Sequence, residues 1–326
     1  MDLSIVTTLH RSAATLEEFC RRTIAAAEAV TPGFEIILVN DGSPDNSLVA
    51  ALALADEDPR IRVVDLSRNF GHHRAMMTGL AYAAGRRVFQ QDCDLEEDPE
   101  VLPRFIRALE ASGADVAYGV AERREGSLLH RATGHLFFKL FNAVGDVQIP
   151  ENLTMTRLMS RRYVDALLLH QERQLFLAGL WALTGFAQVP VKVRKRRKGS
   201  STYTLGRKVS MAVTAITAFS IKPLVLICAI GALISMLAFV SALLLVIRSV
   251  VFGGLLEGWP SLIVSIWLLG GLAILSTGVV GLYLATVFVE AKQRPFSIVR
   301  ATYGWPDSRP LALDRRGQQR QEAAQE

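Results

Sequence analysis

The sequence is poor in cysteine. Of 326 residues three are cysteine, and aromatic residues make up 8%. Cys20, Cys93 and Cys228 lack the spacing of a disulfide framework or a metal site, which indicates a reducing compartment for the soluble part. The first residues lack a basic segment followed by an apolar core, so we expect no signal peptide. The net charge is +5 without a basic stripe interleaved with aromatic residues, which argues against nucleic acid and favours anionic lipid or phosphate as partners.

Charge is absent from two long stretches near the C-terminus, 224–247 and 261–289. Each exceeds the roughly 20 residues that a helix needs to cross a bilayer. Residues 205–220 mix apolar side chains with Arg207 and Lys208, a pattern typical of a helix in the membrane interface, with an ordinary core helix as the alternative. Lysine and arginine are concentrated outside the loop between the two stretches, so the positive-inside rule predicts a cytoplasmic N-terminal domain.

Short apolar runs alternate with helical patterns in the first part of the chain. Strands are predicted at 3–8, 35–39, 61–66, 87–91 and 114–120, and helices at 13–30, 47–55 and 72–84. This alternation predicts an α/β fold with a mostly parallel sheet covered on both faces. Ligands bind beyond the carboxyl ends of the strands in such sheets. Asp41, the segment 67–71, and the pair Asp92 and Asp94 each follow a predicted strand, so we expect them to meet at one edge.

One of these strands ends in a cluster of carboxylates. They are Asp92, Asp94, Glu96, Glu97 and Asp98. Because like charges this close repel, an ordered site here predicts a bound cation. Two aspartates at i and i+2 can share a hard divalent ion, Mg²⁺ or Mn²⁺, whose shell is completed by substrate phosphates. The alternative is a solvated loop that caps the helix following Pro99.

The other polar residues have ordinary structural explanations when they are taken one at a time. Asp41 precedes Gly-Ser-Pro and suits a turn or a helix cap, and Gly71 suits a turn. Arg68 and the adjacent His72 and His73 are compatible with a solvated surface. Their predicted convergence at one edge of the sheet is what favours a functional site.

A series of short segments, in this order, resembles family 2 glycosyltransferases, in particular the polyprenyl-phosphate branch. That branch includes enzymes similar to bactoprenol glucosyltransferase, dolichol-phosphate mannose synthase and the undecaprenyl-phosphate aminoarabinose transferases. The segments are Ser-Ile-Val (4–6), Ile-Leu-Val-Asn-Asp-Gly-Ser (37–43), Leu-Ser-Arg-Asn-Phe-Gly-His (66–72), Asp-Cys-Asp-Leu (92–95), Arg-Leu-Met-Ser-Arg-Arg (157–162), Lys-Gly-Ser-Ser-Thr-Tyr (198–203) and Glu-Ala-Lys-Gln-Arg-Pro (290–295). The resemblance extends over roughly residues 3 to 298.

The resemblance implies an A-type nucleotide-sugar-binding glycosyltransferase fold. Asp41 would contact the nucleoside, and Asp92 and Asp94 would serve the diphosphate through Mg²⁺ or Mn²⁺, with Asp94 the more direct ligand. Residues 197–203 would form a mobile loop over the phosphates, and the basic run 195–198 can neutralise a diphosphate or contact anionic headgroups. The predicted catalytic residues are Asp94, Arg157 and Arg197. The predicted nucleotide-sugar-binding residues are Thr8, His10, Asp41, Ser67, Asn69, Gly71, Asp92, Ser201 and Tyr203, and the predicted metal ligands are Asp92 and Asp94.

Two segments depart from the family pattern. The chain reads Thr-Leu-His-Arg-Ser at 8–12, where members usually carry Pro and then Tyr-Asn-Glu, which leaves UDP or GDP open as donor nucleotide. Met155 stands where many members carry the aspartate often assigned as catalytic base. A sugar hydroxyl needs a base to remove its proton, whereas a lipid monophosphate, with a second pKa of about 6, is mostly a dianion at neutral pH. Met155 therefore favours a phosphate acceptor, and Glu96 or Glu97 is the candidate base if the acceptor is an alcohol.

We therefore predict a metal-dependent, inverting glycosyltransferase of hexosyltransferase type that is integral to the bacterial inner membrane. It would move a sugar from a nucleotide-sugar donor to a polyprenyl (undecaprenyl-type) phosphate on the cytoplasmic leaflet. Small residues in the second apolar stretch would also allow a homo-oligomer. The predicted segments are a cytoplasmic glycosyltransferase domain (1–203), an amphipathic interfacial helix (204–222), two transmembrane helices (223–248 and 261–289) joined by a short extracytoplasmic loop (249–260), and a partly disordered cytoplasmic tail (290–326). Transfer to a sugar hydroxyl of a lipid-linked glycan or glycolipid, and a non-catalytic membrane partner, are the open alternatives.

Overall fold

The computed structural model describes residues 1–122, 148–150, 152–173, 175–195, 222–252 and 258–305. The strands are β1 (Leu3–Leu9), β2 (Phe34–Asn40), β3 (Ile61–Leu66), β4 (Arg87–Gln90), β5 (Val116–Ala121), β6 (Leu153–Ser160), β7 (Gln188–Val193) and β8 (Val299–Tyr303). The helices are α1 (Ala13–Glu28), α2 (Ser47–Glu57), α3 (His72–Tyr82), α4 (Leu102–Ser112), α5 (Arg161–Leu167), α6 (Leu177–Leu183), α7 (Lys222–Phe252) and α8 (Trp259–Ala291). A 3₁₀ turn at Pro99–Val101 leads into α4.

The strands form one sheet in the order β7-β5-β6-β4-β1-β2-β3-β8. At its centre β4, β1, β2 and β3 are parallel to one another. Every residue of β1 and β2 is buried, as expected of central parallel strands covered on both faces. The predicted α/β fold with a mostly parallel sheet is confirmed, and the five predicted strands agree with β1 to β5 to within two residues at either end.

Three strands, β6, β7 and β8, were not predicted from the sequence. β6 lies antiparallel between β4 and β5, and β7 is parallel to β5 on the outer edge. Residues 175–189 carry no charge, and the structure has α6 followed by the start of β7 there. β6 places threonine and arginine among apolar residues, so its own pattern does not identify it as a strand. Its partners are distant in sequence, and pairing with them buries it.

Helix α3 lies unusually close to the sheet because of Gly79. A Cβ atom at Gly79 would lie 2.5 Å from Cγ1 of Val6 and 2.7 Å from Cγ2 of Val39. Any larger residue would push the helix away from β1 and β2. The close contact fixes the position of the N-terminal end of α3, which begins directly after Gly71.

A second compact unit contains α7 and α8. Within α8 the stretch Ser265–Ala291 has a mean hydropathy of 2.1 and is long and apolar enough to cross a membrane. The described side chains of α7 give a shorter apolar stretch, Lys222–Ile234. Large apolar side chains of α8 are exposed, Trp267 to 78% and Ile274 to 76%. Length and composition thus support one membrane-crossing helix, while two crossings stay a prediction. The predicted interfacial helix lies, apart from Lys222, outside the described residues.

The chain returns to the sheet-containing unit after α8. Residues from Arg294 onward belong to that unit, and β8 pairs antiparallel with β3. Phe296 and Ser297 are buried, and the hydroxyl of Ser297 lies 2.7 Å from that of Thr78 in α3. The segment predicted as a cytoplasmic tail, 290–326, therefore contains the last strand of the sheet, and only its residues 306–326 lie outside the description.

Candidate active site

The predicted polar residues meet at one edge of the sheet. Because β4, β1, β2 and β3 are parallel, their carboxyl ends lie side by side. Thr8 lies at the end of β1, Asp41 follows β2, Ser67 follows β3 and Asp92 follows β4. The expected convergence of these segments is confirmed by contacts that join the loops to one another.

His72, the first residue of α3, connects two of the strand ends. Its Nδ1 lies 2.9 Å from the hydroxyl of Thr8, and its Nε2 lies 3.5 Å from Oδ1 of Asp92. Burial lowers the pKa of His72, which favours the neutral form of the ring. The sequence left His72 as a candidate surface residue. Its place directly after Gly71, at a strand-to-helix turn, was the signal for its position at the edge.

Asp41 holds the loop between β3 and α3. Its Oδ1 accepts a hydrogen bond of 2.7 Å from the backbone N–H of Phe70, and its Oδ2 accepts one of 3.0 Å from that of Gly71. The residue is only 2% exposed. Both carboxylate oxygens are thus engaged in positioning the backbone, and the predicted contact with a nucleoside stays a prediction.

Two glycines allow the loops after β2 and β3 to interlock. Gly42 has φ +56°, and a Cβ there would lie 2.4 Å from both the carbonyl carbon of Arg68 and the backbone nitrogen of Asn69. Gly71 has φ +97°, but a Cβ there would have no atom within 4 Å. Gly42 is therefore required by a close backbone approach, and Gly71 by its left-handed conformation alone.

The remaining predicted donor-binding residues of the described chain, His10, Ser67 and Asn69, are exposed or partly buried. The side chains of His10 and Asn69 are exposed, and the backbone N–H of His10 donates to Oγ of Ser12 at 3.2 Å. Ser67 is partly buried, with its backbone bonded to the segment around β8. These positions are compatible with contact to a bound donor, which stays a prediction for each of them.

Asp92 and Asp94 form the turn that follows β4. Oδ1 of Asp94 accepts a hydrogen bond of 3.0 Å from the backbone N–H of Glu96. The Asp92 side chain is 39% exposed, but its Oδ1 is shielded from solvent and has no hydrogen-bond partner among the described residues. Burial, and next the charge of Asp94, raise the pKa of Asp92 to about 7.

This donor set fits a divalent cation. An unpartnered, shielded carboxylate oxygen beside a second carboxylate is stabilised by a nearby positive charge. No group of three or more His, Cys, Asp or Glu side chains in the described part of the chain is arranged to hold a metal unaided. The residues present therefore fit an ion that is held by one or two carboxylates and completed by substrate phosphates.

The two glutamates of the cluster are already engaged. Oε2 of Glu96 lies 2.8 Å from Nζ of Lys195, and a backbone bridge joins Glu97 to Lys195. Glu97 is 7% exposed and accepts a hydrogen bond of 3.2 Å from the hydroxyl of Thr154. The first residue of the predicted basic run therefore lies against the acidic cluster, a contact that sequence reasoning missed because β7 was not predicted.

The part of the chain that carries these strand ends matches a known protein family. Residues 4–168, from β1 to the end of α5, match the domain described as glycosyl transferase family 2. The chain belongs to glycosyl transferase family 2. The sequence resemblance to that family is confirmed.

Relatives within family 2 cover nearly the whole chain. A putative glycosyltransferase of Mycobacterium tuberculosis is 49% identical over 304 residues, covering 93% of this chain and 89% of that protein. The SfII prophage-derived bactoprenol glucosyl transferase of Shigella flexneri is 35% identical over 271 residues, covering 82% and 88%. Among solved structures, the Mn²⁺, UDP-glucose and phosphoglyceric acid complex of glucosyl-3-phosphoglycerate synthase from Mycobacterium tuberculosis has a TM-score of 0.43 and 23% identity, covering 66% and 77%.

Arg157 is buried against an aromatic ring. It lies in β6 beside Gln90, is 1% exposed, and its guanidinium stacks 3.6 Å from the centre of the Trp181 ring. Nη1 donates to Oε1 of Gln188 at 3.2 Å, while Nε has no partner among the described residues. Burial lowers the pKa of Arg157 to about 9. The described carboxylates form no ion pair with it, so its charge is uncompensated by them. Its predicted catalytic role stays a prediction.

Three predicted site residues of the basic loop lie outside the described residues: Arg197, Ser201 and Tyr203.

Proposed function

We propose that the protein is a membrane-anchored, inverting glycosyltransferase that moves a sugar from a nucleotide-sugar donor to a polyprenyl phosphate. The family and its bactoprenol glucosyl transferase relatives support this class of donor and acceptor. The undecaprenyl-type lipid and the cytoplasmic leaflet of the bacterial inner membrane are the acceptor and location proposed. The observation that carries the choice of acceptor is that, in the described part of the chain, none of the three positions considered for a base (Met155, Glu96 and Glu97) offers a free carboxylate.

That lack is seen at each candidate position. Met155 stands where the family resemblance leads us to expect an aspartate, and its carbonyl accepts a hydrogen bond of 3.1 Å from Nε2 of Gln90, the last residue of β4. Glu96 is paired with Lys195, and Glu97 is buried against Thr154. A phosphate dianion needs no deprotonation before it attacks, so a site without a base suits it.

Asp92 and Asp94 would hold a divalent cation, Mg²⁺ or Mn²⁺. Such an ion supplies charge neutralisation for the departing nucleoside diphosphate. The chain's own residues position the reactants: His72 and Asp41 hold the loops of the proposed donor site, and Lys195 places a positive charge at the same edge. In the transfer, a phosphate oxygen of the acceptor forms a bond to the anomeric carbon as the bond to the diphosphate breaks, which inverts that carbon.

Arg157 is proposed to hold the acceptor phosphate. A guanidinium stacked on an aromatic ring has no counter-charge beside it, whereas a carboxylate partner would balance its positive charge. Because no described carboxylate pairs with Arg157, its charge is available to an anionic lipid headgroup. Displacement of the covering side chains on acceptor binding is part of this proposal, since the residue is buried.

The membrane arrangement is proposed from the path of the chain. α7 and α8 extend over the predicted spans 223–248 and 261–289, and residues from Arg294 onward return to the sheet. A chain that leaves a domain and returns to it crosses the membrane an even number of times. This supports two crossings. The interfacial helix at 204–222, the extracytoplasmic loop at 249–260 and the cytoplasmic side for the sheet are proposed from the charge pattern of the sequence.

The test is transfer of a radiolabelled sugar in detergent or vesicles with undecaprenyl phosphate as the sole acceptor. Nucleotides are first screened by thermal shift with Mn²⁺, so that the donor is chosen by binding. We expect a labelled polyprenyl-phosphate sugar, and its complete loss in Asp94→Ala with membrane insertion unchanged. Transfer only when a glycan acceptor is added would overturn the phosphate acceptor. Full activity of Asp94→Ala would overturn the metal assignment.

A further inference from the structure

Strand β8 and the residues just before it contact the loop after β3, at one end of the active-site edge. The backbone N–H of Ser67 donates to the carbonyl of Ile298 at 2.9 Å. The carbonyl of Ser67 accepts a hydrogen bond of 2.7 Å from Nη2 of Arg300. Both backbone groups of Ser67, the first residue after β3, are therefore satisfied by the return segment.

Arg300 reaches this position because it lies in a β-bulge. Asp65 of β3 pairs with Ala301, and the next residue, Leu66, pairs with Val299, so Arg300 is the extra residue between them. A bulge of this kind redirects the side chain of the unpaired residue. Here it directs the guanidinium across the end of β3, where it meets the Ser67 carbonyl and lies 3.5 Å from Oδ2 of Asp65.

The contact continues from Arg300 into the neighbouring loop. Asp65 is 1% exposed, and its Oδ1 accepts a hydrogen bond of 2.8 Å from Nδ2 of Asn40. Oδ1 of Asn40 in turn accepts one of 3.2 Å from the backbone N–H of Ser43. Arg300 is the cation nearest to Asp65 in the described ion pairs. A buried carboxylate without a cation is unfavourable, so loss of Arg300 disturbs both loops through one network.

We propose that Arg300 is a positioning residue for the nucleotide-sugar donor. It orders the loop after β3 through Ser67, and the loop after β2 through Asp65 and Asn40. This rests on the proposed function, which assigns both loops to the donor. Arg300 lies outside residues 4–168, so the family match does not cover it. The consequence is that donor affinity depends on a residue that the chain supplies only after its membrane segment.

The experiment uses the full-length enzyme in detergent and compares Arg300→Ala, Arg300→Lys and Arg294→Ala. Arg294 is an exposed arginine of the same return segment and serves as the matched control. Nucleotide Kd is measured by calorimetry, donor KM and kcat by transfer assay, and Tm by thermal unfolding. Loss of a hydrogen bond to a charged group predicts about a tenfold rise in Kd and donor KM for Arg300→Ala, with kcat and acceptor KM little changed.

Arg300→Lys should recover part of the nucleotide affinity, because it keeps the positive charge. The recovery should be incomplete, because an ammonium cannot reach both Ser67 and Asp65 as the guanidinium does. Asp65→Asn tests the contacts that run from Arg300 through Asp65 and Asn40 to the loop after β2. Its effect on nucleotide Kd should not add to that of Arg300→Ala. If Arg300→Ala does not fold, the lysine variant must still show the selective rise in donor KM. Nucleotide binding that is unchanged in both variants, or equally weakened in Arg294→Ala, overturns the inference and leaves the proposed function standing. A wild-type enzyme that binds no nucleotide overturns both.

Discussion

Replacement of Asp41 distinguishes two roles of this carboxylate: holding the backbone of the loop after β3, and contacting a bound nucleotide directly. In the structure its two oxygens accept hydrogen bonds from the backbone N–H groups of Phe70 and Gly71, at 2.7 and 3.0 Å. Asp41→Ala removes both bonds and leaves the buried N–H of Phe70 without a partner. Asp41→Asn keeps one acceptor oxygen but turns an amide N–H₂ toward the other backbone donor.

The structure allows the size of the effect to be estimated. A hydrogen bond to a charged group contributes roughly 1.5–3 kcal/mol, and the N–H of Gly71 is partly accessible to water, so the total for Asp41→Ala is about 3 kcal/mol. For a domain of this size about 3 kcal/mol corresponds to a decrease in Tm of about 6–12 °C. Asp41→Asn should lie about halfway, because one of two bonds is lost.

Thermal unfolding of the purified variants, with nucleotide binding measured on the same samples, tests this reasoning. We expect Tm to fall in the order wild type, Asp41→Asn, Asp41→Ala, and nucleotide affinity to fall with it, since the same loops form the proposed donor site. An unchanged Tm together with abolished nucleotide binding would refute the loop-holding role and assign the carboxylate to direct contact with the nucleotide.

Three further predictions concern glycine, acid stability and the missing base. Gly42→Ala should lower Tm more than Gly71→Ala, because both substitutions strain a positive φ but only a Cβ at Gly42 meets backbone atoms at 2.4 Å. Hydrogen bonds from Arg162 hold the pKa of Asp115 below its usual range, so the stability from Asp115 is present above its unfolded pKa of about 3.9 and is lost as pH falls through the lower folded pKa. Asp115→Asn should therefore reduce Tm at pH 7 and flatten the decrease in Tm below pH 5, and parallel acid profiles for wild type and variant would contradict this. Glu97→Gln should retain transfer to polyprenyl phosphate, whereas a loss of about 100-fold or more would identify Glu97 as a general base.

The central part of the fold could be predicted because each strand carries its own signal. β1 to β5 are short apolar runs bounded by turn residues, and their parallel order places Asp41 and Asp92 at one edge without any knowledge of contacts. The acidic cluster was visible for the same reason, since a carboxylate run directly after a buried strand is a local pattern.

Non-local pairing accounts for what the sequence did not predict. β8 is short and follows two long helices, and it is defined by its pairing with β3 rather than by its own composition. The role of Arg300 depends on a bulge in that pairing, and the contact of Lys195 with Glu96 depends on where β7 ends. Asp41 was predicted as a site residue, but the hydrogen bonds that its oxygens accept from the backbone of Phe70 and Gly71 depend on the folded loops and leave no pattern in the sequence.

The place of β8 in the sequence also has a consequence for biosynthesis. While the ribosome is still translating the apolar helices, β3 is an open sheet edge with unpaired N–H and C=O groups, a known template for aggregation. The domain can acquire its final edge only after residues 299–303 have emerged. Synthesis of the two apolar helices and completion of the sheet are thus linked in time, and a ribosome stalled within α8 would leave a domain that lacks its closing strand.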